Sequence, residues 1–150
     1  MKIESSAFAH NKSIPSLYTC DGDNINPELS FINVPENSKS LVLLMEDPDV
    51  PTSIRADGIW DHWVVFNIPA ETTGMLENAK PAGTEGISSG GNIGYEGPCP
   101  PDREHRYSFK LFALSSKLGL EEGATKDQVL EAMQTHVIES AELIGRYNRI

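Results

Sequence analysis

Two short segments of this 150-residue chain carry side chains that could bind an anion or a metal ion. Asp-Pro-Asp-Val-Pro at residues 47–51 directly follows an apolar run, and Trp-Asp-His-Trp at residues 60–63 begins another. A carboxylate such as Asp47 close to His62 would hold one imidazole tautomer or support the protonated form. Each segment alone also fits a plainer interpretation, a solvated turn for the first and a buried histidine bonded to a backbone carbonyl for the second.

A third segment, residues 90–107, is rich in glycine and proline. Glycine lets backbone amides come close to a ligand, and clustered proline keeps a loop rigid, so this segment could present amide donors. Its glycines fit neither a P-loop nor a dinucleotide-binding fingerprint. His105 and Tyr107 stand two residues apart at the start of an apolar run, which predicts that both side chains point to one face of a strand.

The combined side chains leave more than one chemistry open. Imidazolium and phenol donors from His62, His105 and Tyr107 suit a phosphate or carboxylate ligand, with Asp47 orienting a histidine. Two histidines and an aspartate can also form a zinc or iron triad, or an acid–base pair in a hydrolase that acts on a phosphoester. The serine pair at residues 88–89 lacks the Gly-x-Ser-x-Gly setting of a serine nucleophile.

The sequence predicts a β-rich fold to position these side chains. Prolines and glycines are spread along the chain and divide it into many short elements. Strands are expected at residues 2–8, 29–34, 40–45, 62–68 and 106–114. The run at 40–45 is apolar throughout, which predicts a strand covered on both faces.

Alternation along two strands predicts which side chains share a face. Trp60, His62, Val64 and Phe66 would face one way, and Asp61, Trp63 and Val65 the other. In the later strand, Tyr107, Phe109 and Leu111 would share a face.

One α-helix is expected near the C-terminus. Thr125 and Gln128 have the spacing of a capping box. Val129, Leu130, Met133 and Val137 follow at helical spacing. The tail at residues 141–150 fits a closing strand about as well as a frayed helix, and the residues leave that choice open.

The composition is that of a globular chain with one domain, residues 1–150. Hydrophobic residues make up 39% and charged residues 23%, close to the globular average. The formal net charge of −10 and the absence of a Lys/Arg run argue against nucleic acid or an anionic membrane surface as a partner. The chain has no transmembrane run, and residues 1–5 lack a signal-peptide pattern, so we expect a cytoplasmic protein.

The two cysteines, Cys20 and Cys99, lie far apart in the sequence and form no Cys-x-x-Cys pair. This arrangement argues against a zinc ribbon or a thioredoxin-type motif. In a chain without an export signal we expect two free, mostly buried thiols.

Several motifs occur in order along nearly the whole chain. They are Tyr-Thr-Cys-Asp-Gly at 18–22, Asn-Pro-Glu-Leu at 26–29, the DPDVP loop at 47–51, DHWVVFNIP at 61–69, GYEGPCPPDREHRY at 94–107 and Gly-Arg-Tyr at 145–147. With these motifs the chain resembles the phosphatidylethanolamine-binding protein family, in its prokaryotic Raf-kinase-inhibitor-like branch.

The resemblance implies a mainly β fold, with a large central antiparallel sheet packed on a smaller sheet and one or two short helices near the C-terminus. It also implies a small cavity that binds a phosphate-like anion or a phospholipid head group. The residues similar to the family's cavity lining are Asp47, Trp60, His62, Pro101, His105 and Tyr107. Such proteins are commonly homodimers, and several modulate kinases, proteases or signalling complexes. We therefore expect a protein with no catalytic residues, no metal and no cofactor, acting on a protein partner that the sequence does not identify.

Two residues depart from the family's eukaryotic pattern. Cys99 falls where those proteins carry glycine, and Asp61 replaces a second histidine beside the pocket histidine. The chain is also shorter and lacks the C-terminal helix that borders the eukaryotic pocket. Kinase inhibition as known in eukaryotes is therefore not carried over.

Overall fold

A computed structural model describes residues 1–149 as two β-sheets and one α-helix. The strands are β1 (Lys2–Glu4), β2 (Lys12–Ser13), β3 (Leu29–Ile32), β4 (Ser40–Asp47), β5 (Trp60–Pro69), β6 (Gly74–Met75), β7 (Thr84–Glu85), β8 (His105–Leu114) and β9 (Val137–Tyr147), and the helix is α1 (Lys126–Met133). The large sheet has the order β2-β9-β8-β4-β5-β7, and the small sheet has the order β1-β3-β6. All pairs are antiparallel except β2 with β9. The expected fold class is confirmed.

Strand β4 lies at the centre of the large sheet, between β5 and β8. All eight of its residues are buried, as the unbroken apolar run predicts for a strand covered on both faces. Its odd-numbered side chains, such as Leu41 and Leu43, pack against the small sheet, whereas Val42 and Leu44 pack against α1. Because β4 is fixed on both faces and along both edges, its last residue, Asp47, has a rigid support.

The predicted alternation along β5 is wrong at the start of the strand because of a β-bulge. The pairing with β4 passes from Met45 opposite Trp63 to Glu46 opposite Asp61, so His62 is an extra residue on β5. A bulge of this kind re-aims the neighbouring side chains. Trp60 consequently shares the face of Trp63, and Asp61 points to the opposite face.

Helix α1 begins with the predicted capping box. The Thr125 hydroxyl accepts from the Gln128 amide, and the Gln128 side chain accepts from the Thr125 amide. The helix ends at Met133, however, and Val137 already belongs to β9. The tail is therefore a strand as far as Tyr147, paired with β8, and residue 150 lies outside the described residues.

The expectation of two free, buried thiols is wrong. Cys20 and Cys99 form a disulfide with their Cα atoms 5.5 Å apart, and both residues are exposed. The Cys20 amide donates to the Pro98 carbonyl, and the Tyr95 hydroxyl donates to the Tyr18 carbonyl at 2.7 Å. These long-range hydrogen bonds bring the two loops together, which the spacing in the sequence could not reveal.

Candidate functional site

A cavity of about 230 Å³ lies where the ends of β4 and β5 meet the loop that precedes β8. Four of the six predicted site residues line it: Asp47, Trp60, His62 and Pro101. The remaining lining residues are Val50, Ile54, Glu96, Gly97 and Cys99. The two remaining predicted residues, His105 and Tyr107, lie beneath this lining in the sheet.

Asp47 stands at the end of β4 with only 3% of its surface exposed. Its Oδ1 accepts a hydrogen bond of 2.7 Å from the Asp49 amide, and its Oδ2 accepts one of 2.6 Å from His105 Nδ1. Since both oxygens receive donors, the side chain acts as a carboxylate acceptor. The extended Asp-Pro turn therefore fixes the orientation of Asp47 in the cavity wall.

His105 is fully buried behind Asp47. Its Nδ1 bonds to Asp47, and its Nε2 lies 2.6 Å from Oδ1 of Asp102, whose pKa this hydrogen bond lowers. With both nitrogens bonded, His105 orients Asp47 and has no nitrogen left for a ligand.

His62 faces the cavity from the β5 bulge. Its Nδ1 lies 2.5 Å from the Glu96 carbonyl oxygen, and because a carbonyl can only accept, Nδ1 must carry the proton. The described residues give Nε2 no hydrogen bond. Burial lowers the pKa of His62, against the opposing influence of Glu96 and Asp47. Nε2 is therefore a free acceptor at neutral pH.

Tyr107 lies in the sheet beneath the cavity lining, between the two histidines. It is fully buried, its ring centroid lies 5.3 Å from that of His62 in an edge-on arrangement, and it stacks near His105 at 6.5 Å. The shared face of His105 and Tyr107 is therefore confirmed. The Tyr107 hydroxyl makes no well-formed hydrogen bond among residues 1–149, although Asp47 and the Cys99 amide lie close enough to act on its pKa. Burial, followed by the nearby carboxylates of Asp47 and Asp49, raises the pKa of Tyr107.

The loop after β4 is fixed by its second aspartate, whose role sequence reasoning did not identify. Arg106 donates to Asp49 from its backbone amide at 2.8 Å and from its guanidinium at 2.7 and 3.0 Å. The Arg106 guanidinium lowers the pKa of Asp49 to about 2. The same loop places Arg55 5.8 Å from the centroid of the Trp60 ring.

The loop before β8 makes the opposite wall, but its amides are not free donors as expected. The Glu96 amide donates to the His62 carbonyl at 3.0 Å, and the Gly97 amide donates to Asn24 Oδ1 at 2.9 Å. Pro98, Pro100 and Pro101 have no N–H. The Cys99 amide is the exception, because it acts on the Tyr107 hydroxyl and lowers the pKa of that group. This wall is therefore rigid and offers few donors.

The serine pair at residues 88–89 supports this loop and the bulge. The Ser88 hydroxyl donates to Glu96 Oε2 at 2.5 Å, and the Ser89 hydroxyl accepts from the Asp61 amide at 2.8 Å. Both hydroxyls are thus engaged in holding the strand and the loop, and a nucleophilic role has no support in this geometry.

A charged cluster lies on the other face of the sheet, beneath α1. Lys126 Nζ lies 2.7 Å from both Glu46 Oε2 and Asp61 Oδ1, and Lys110 also contacts Glu46. Burial alone would raise the pKa of Glu46, but the two lysines lower it. Asp61, the chain neighbour of His62, is thus part of this cluster and not of the cavity.

Two classes of feature are absent from the described part of the chain. Among residues 1–149, no group of three or more His, Cys, Asp or Glu side chains is arranged to hold a metal ion. No helix in the same range is long and apolar enough to cross a membrane.

Comparisons with known proteins give one consistent family. The family model described as phosphatidylethanolamine-binding protein matches residues 4–148. A UPF0098 protein of Chlamydia pneumoniae is 49% identical over 149 residues, covering 99% of each chain. The crystal structure of CT736 from Chlamydia trachomatis, a candidate PEBP homolog, is 48% identical with a TM-score of 0.97, covering 99% of this chain and 97% of that one. E. coli YbcL, described as a member of the mammalian PEBP family, is 29% identical with a TM-score of 0.89, covering 99% and 98%.

Proposed function

Because the chain belongs to the phosphatidylethanolamine-binding protein family, we propose that its cavity binds a small phosphate-like anion or a phospholipid head group. The observation that carries the proposal is the free Nε2 of His62, which faces a 230 Å³ cavity beside the buried Asp47 and above the unbonded Tyr107 hydroxyl. Small-ligand sites commonly combine apolar walls, here Trp60 and Pro101, with a few convergent polar groups.

Calorimetric titration with inorganic phosphate and with phosphoethanolamine tests the proposal. Because burial lowers the pKa of His62, an anion that bonds to Nε2 has to be accompanied by a proton. Affinity should therefore fall between about pH 6 and about pH 8. His62→Ala should weaken binding roughly tenfold or more, whereas His136→Ala, outside the cavity lining, should leave it unchanged. If neither ligand binds at either pH, the proposal is wrong.

We further propose a binding role rather than catalysis. The alternative is a metal-dependent or His/Asp-dependent hydrolase acting on a phosphoester. It has little support, because both nitrogens of His105 are bonded to carboxylates. The measurement is release of nitrophenol from nitrophenyl phosphate, with and without added divalent metal. Turnover that His105→Ala abolishes would establish the hydrolase instead.

Through this pocket the protein is proposed to modulate a protein partner such as a kinase, a protease or a signalling complex. The support is membership of the family, in which such roles occur. Capture of partners with wild-type protein, with and without phosphate, and with His62→Ala would test the link. A partner captured equally in all three cases would separate partner binding from the cavity.

We also propose that two of these one-domain chains form a homodimer. One chain has a mass of 16.5 kDa, and light scattering should give twice that mass.

We propose a cytoplasmic location, which would expose the Cys20–Cys99 disulfide to cytoplasmic reductants. Cytoplasmic reductants keep most thiols reduced, whereas disulfides persist in oxidising compartments. Trapping free thiols by alkylation in intact cells, together with fractionation, measures both properties at once. Recovery of a fully oxidised Cys20–Cys99 pair in an extracytoplasmic fraction would overturn this location.

A further inference from the structure

The polar groups that face the cavity from its two sides are both hydrogen-bond acceptors. Asp47 already receives the Asp49 amide and the His105 imidazole, so only oxygen lone pairs remain for a ligand. His62 uses its proton on the Glu96 carbonyl, so Nε2 also offers a lone pair. A ligand that bonds to both groups must itself supply the hydrogen atoms.

The surrounding wall adds few hydrogen-bond donors to these two acceptors. The amides of Glu96 and Gly97 are used inside the protein, and the three prolines of the rim have no N–H. Among residues 1–149, the Tyr107 hydroxyl is the buried side-chain donor at this site that lacks a partner. Together with the amide of Cys99 in the lining, one phenol gives two donors, which are too few to satisfy a fully deprotonated dianion.

The nearby positive charges are already engaged outside the lining. Arg106 is bound to Asp49, and Arg55 lies over the Trp60 ring. Arg103 donates to the Glu104 carbonyl and lies 3.9 Å from Asp102. His105 stands between two carboxylates, Asp47 and Asp102, and has no nitrogen free for a ligand.

Further carboxylates contribute to the negative field. Asp61 on the same strand and Glu96 on the loop both act on His62, as Asp47 does from β4. Asp47 and Asp49 also act on the Tyr107 phenol. A ligand dianion would therefore meet several carboxylates with no free cation in the lining.

A phosphoryl group can supply a hydrogen atom to these acceptors, because its second pKa lies near neutrality, at about 6 for phosphoamino acids. As a monoanion it carries P–OH donors in addition to acceptor oxygens, two in inorganic phosphate and one in a monoester. The single P–OH of a monoester is taken by Asp47, and Nε2 of His62 then bonds to the anion only with a proton taken from solution. Sulfate has the same tetrahedral shape but no proton at neutral pH, and a phosphodiester is an anion without a P–OH.

We infer that the pocket selects phosphoryl groups in their protonated, monoanionic state, with Asp47 as the specificity-determining residue that accepts the ligand's P–OH. This inference rests on the proposed function and sharpens it. It favours inorganic phosphate and monoesters such as free phosphoethanolamine over the diester of an intact lipid head group. Hydrogen bonds to charged groups contribute about 1.5–3 kcal/mol, which corresponds to roughly 10- to 100-fold in affinity.

The first test is a calorimetric series on the wild-type protein at about pH 6. Inorganic phosphate and phosphoethanolamine should bind roughly 10- to 100-fold more tightly than sulfate or glycerophosphoethanolamine. Equal affinity for phosphate and sulfate, or for the monoester and the diester, would overturn the inference while leaving the proposed anion site intact. Binding of none of the four would instead remove the proposed function.

The second test uses Asp47→Asn, which keeps the size of the side chain and an acceptor for the Asp49 amide. Its NH₂ group takes the place of Oδ2, where His105 Nδ1 becomes the acceptor in the tautomer that is protonated on Nε2. Its NH₂ group can donate to an unprotonated oxygen, so sulfate affinity should rise roughly tenfold relative to phosphate. Thermal unfolding of the variant reports whether the fold is retained. If it is not, the wild-type ligand series and His62→Gln decide the question. An unchanged phosphate-to-sulfate ratio in a folded variant would contradict the role of Asp47.

The third test separates a proton on the ligand from a proton on the protein. His62→Gln removes the titrating imidazole but leaves Asp47 in place. Phosphate affinity of this variant should still fall above the second pKa of the ligand, about tenfold per pH unit. Loss of that pH dependence would place the proton on His62 and overturn the inference.

Discussion

The buried polar residues of the site differ in whether their side chains have hydrogen-bond partners. Asp47, His105 and Asp102 form a continuous hydrogen-bonded series, whereas the neighbouring Tyr107 hydroxyl has no partner among residues 1–149. A buried hydroxyl without a partner lowers stability, because its hydration is lost without replacement. The Tyr107 hydroxyl therefore does not stabilise the fold, which fits a role in binding a ligand.

Tyr107→Phe should therefore affect stability and binding in opposite directions. The free energy of unfolding should stay constant or rise by up to about 1 kcal/mol, because an unbonded hydroxyl is removed. Phosphate affinity should fall roughly tenfold, because the ligand loses a donor. Urea unfolding and calorimetry measure the two quantities. Tyr18→Phe, whose hydroxyl donates to Glu77 away from the cavity, is the matched control and should lower stability without changing affinity.

The pH dependence of stability should include a contribution from Asp49. Arg106 lowers the pKa of Asp49 from its ordinary value of 3.8 to about 2. A depressed folded-state pKa stabilises the protein above the unfolded-state pKa, and this stabilisation is lost as the pH falls towards 2. The difference in unfolding free energy between wild type and Asp49→Asn should thus reach its maximum above about pH 5 and decrease below about pH 4. A difference that stays constant from about pH 6 to about pH 2.5 would contradict this assignment.

The sequence predicts part of the site because some neighbours follow from local geometry. His105 and Tyr107 share a face because they are two apart in a strand, and Asp47 ends a strand that had to be buried. The partners of these side chains, such as Glu96 for His62, come from loops whose closure depends on distant contacts. Their use as ligand-binding residues stays a prediction.

At the scale of the elements, the reliable signals were those in which every local preference agrees. The apolar run of β4 and the capping box of α1 are examples, and both are confirmed. The β5 bulge at His62 was not visible, because register depends on the partner strand as much as on the strand itself. Val137 fits helical spacing, but pairing with β8 places it in a strand.

Packing of α1 on the sheet should depend on the charged cluster at Lys126. Lys126→Met leaves Asp61 without its partner and Glu46 with Lys110 alone, so the variant should lose about 2–4 kcal/mol of unfolding free energy. The comparison variant Lys126→Met with Asp61→Asn should recover part of this loss, because the uncompensated charge is removed. Urea unfolding of both variants gives the values. Equal stability of Lys126→Met and wild type would mean that the cluster is solvated.

For the whole molecule, the disulfide is the covalent link between distant parts of the chain. Its cysteines are separated by 79 residues, and closing a loop of that size in the unfolded state stabilises a fold by about 4 kcal/mol in the chain-entropy model. Neither cysteine belongs to the two hydrophobic cores. The reduced protein should therefore keep its fold with a lower free energy of unfolding.

Urea unfolding with and without a dithiol reductant measures this contribution, with an expected loss of about 2–4 kcal/mol. The double variant Cys20→Ser with Cys99→Ser should match the reduced protein and should not respond to the reductant. A reductant effect of equal size in the double variant would show that the reductant acts elsewhere.

The proline-rich wall of the cavity also affects the kinetics of ligand binding. Pro98, Pro100 and Pro101 restrict backbone rotation, and the disulfide at Cys99 ties the same segment to the loop at Cys20. A wall that is already ordered requires little further loss of chain entropy when a ligand enters. Association should consequently be a single concentration-dependent phase without a slower rearrangement after it, and differences among ligands should reside in their dissociation rates.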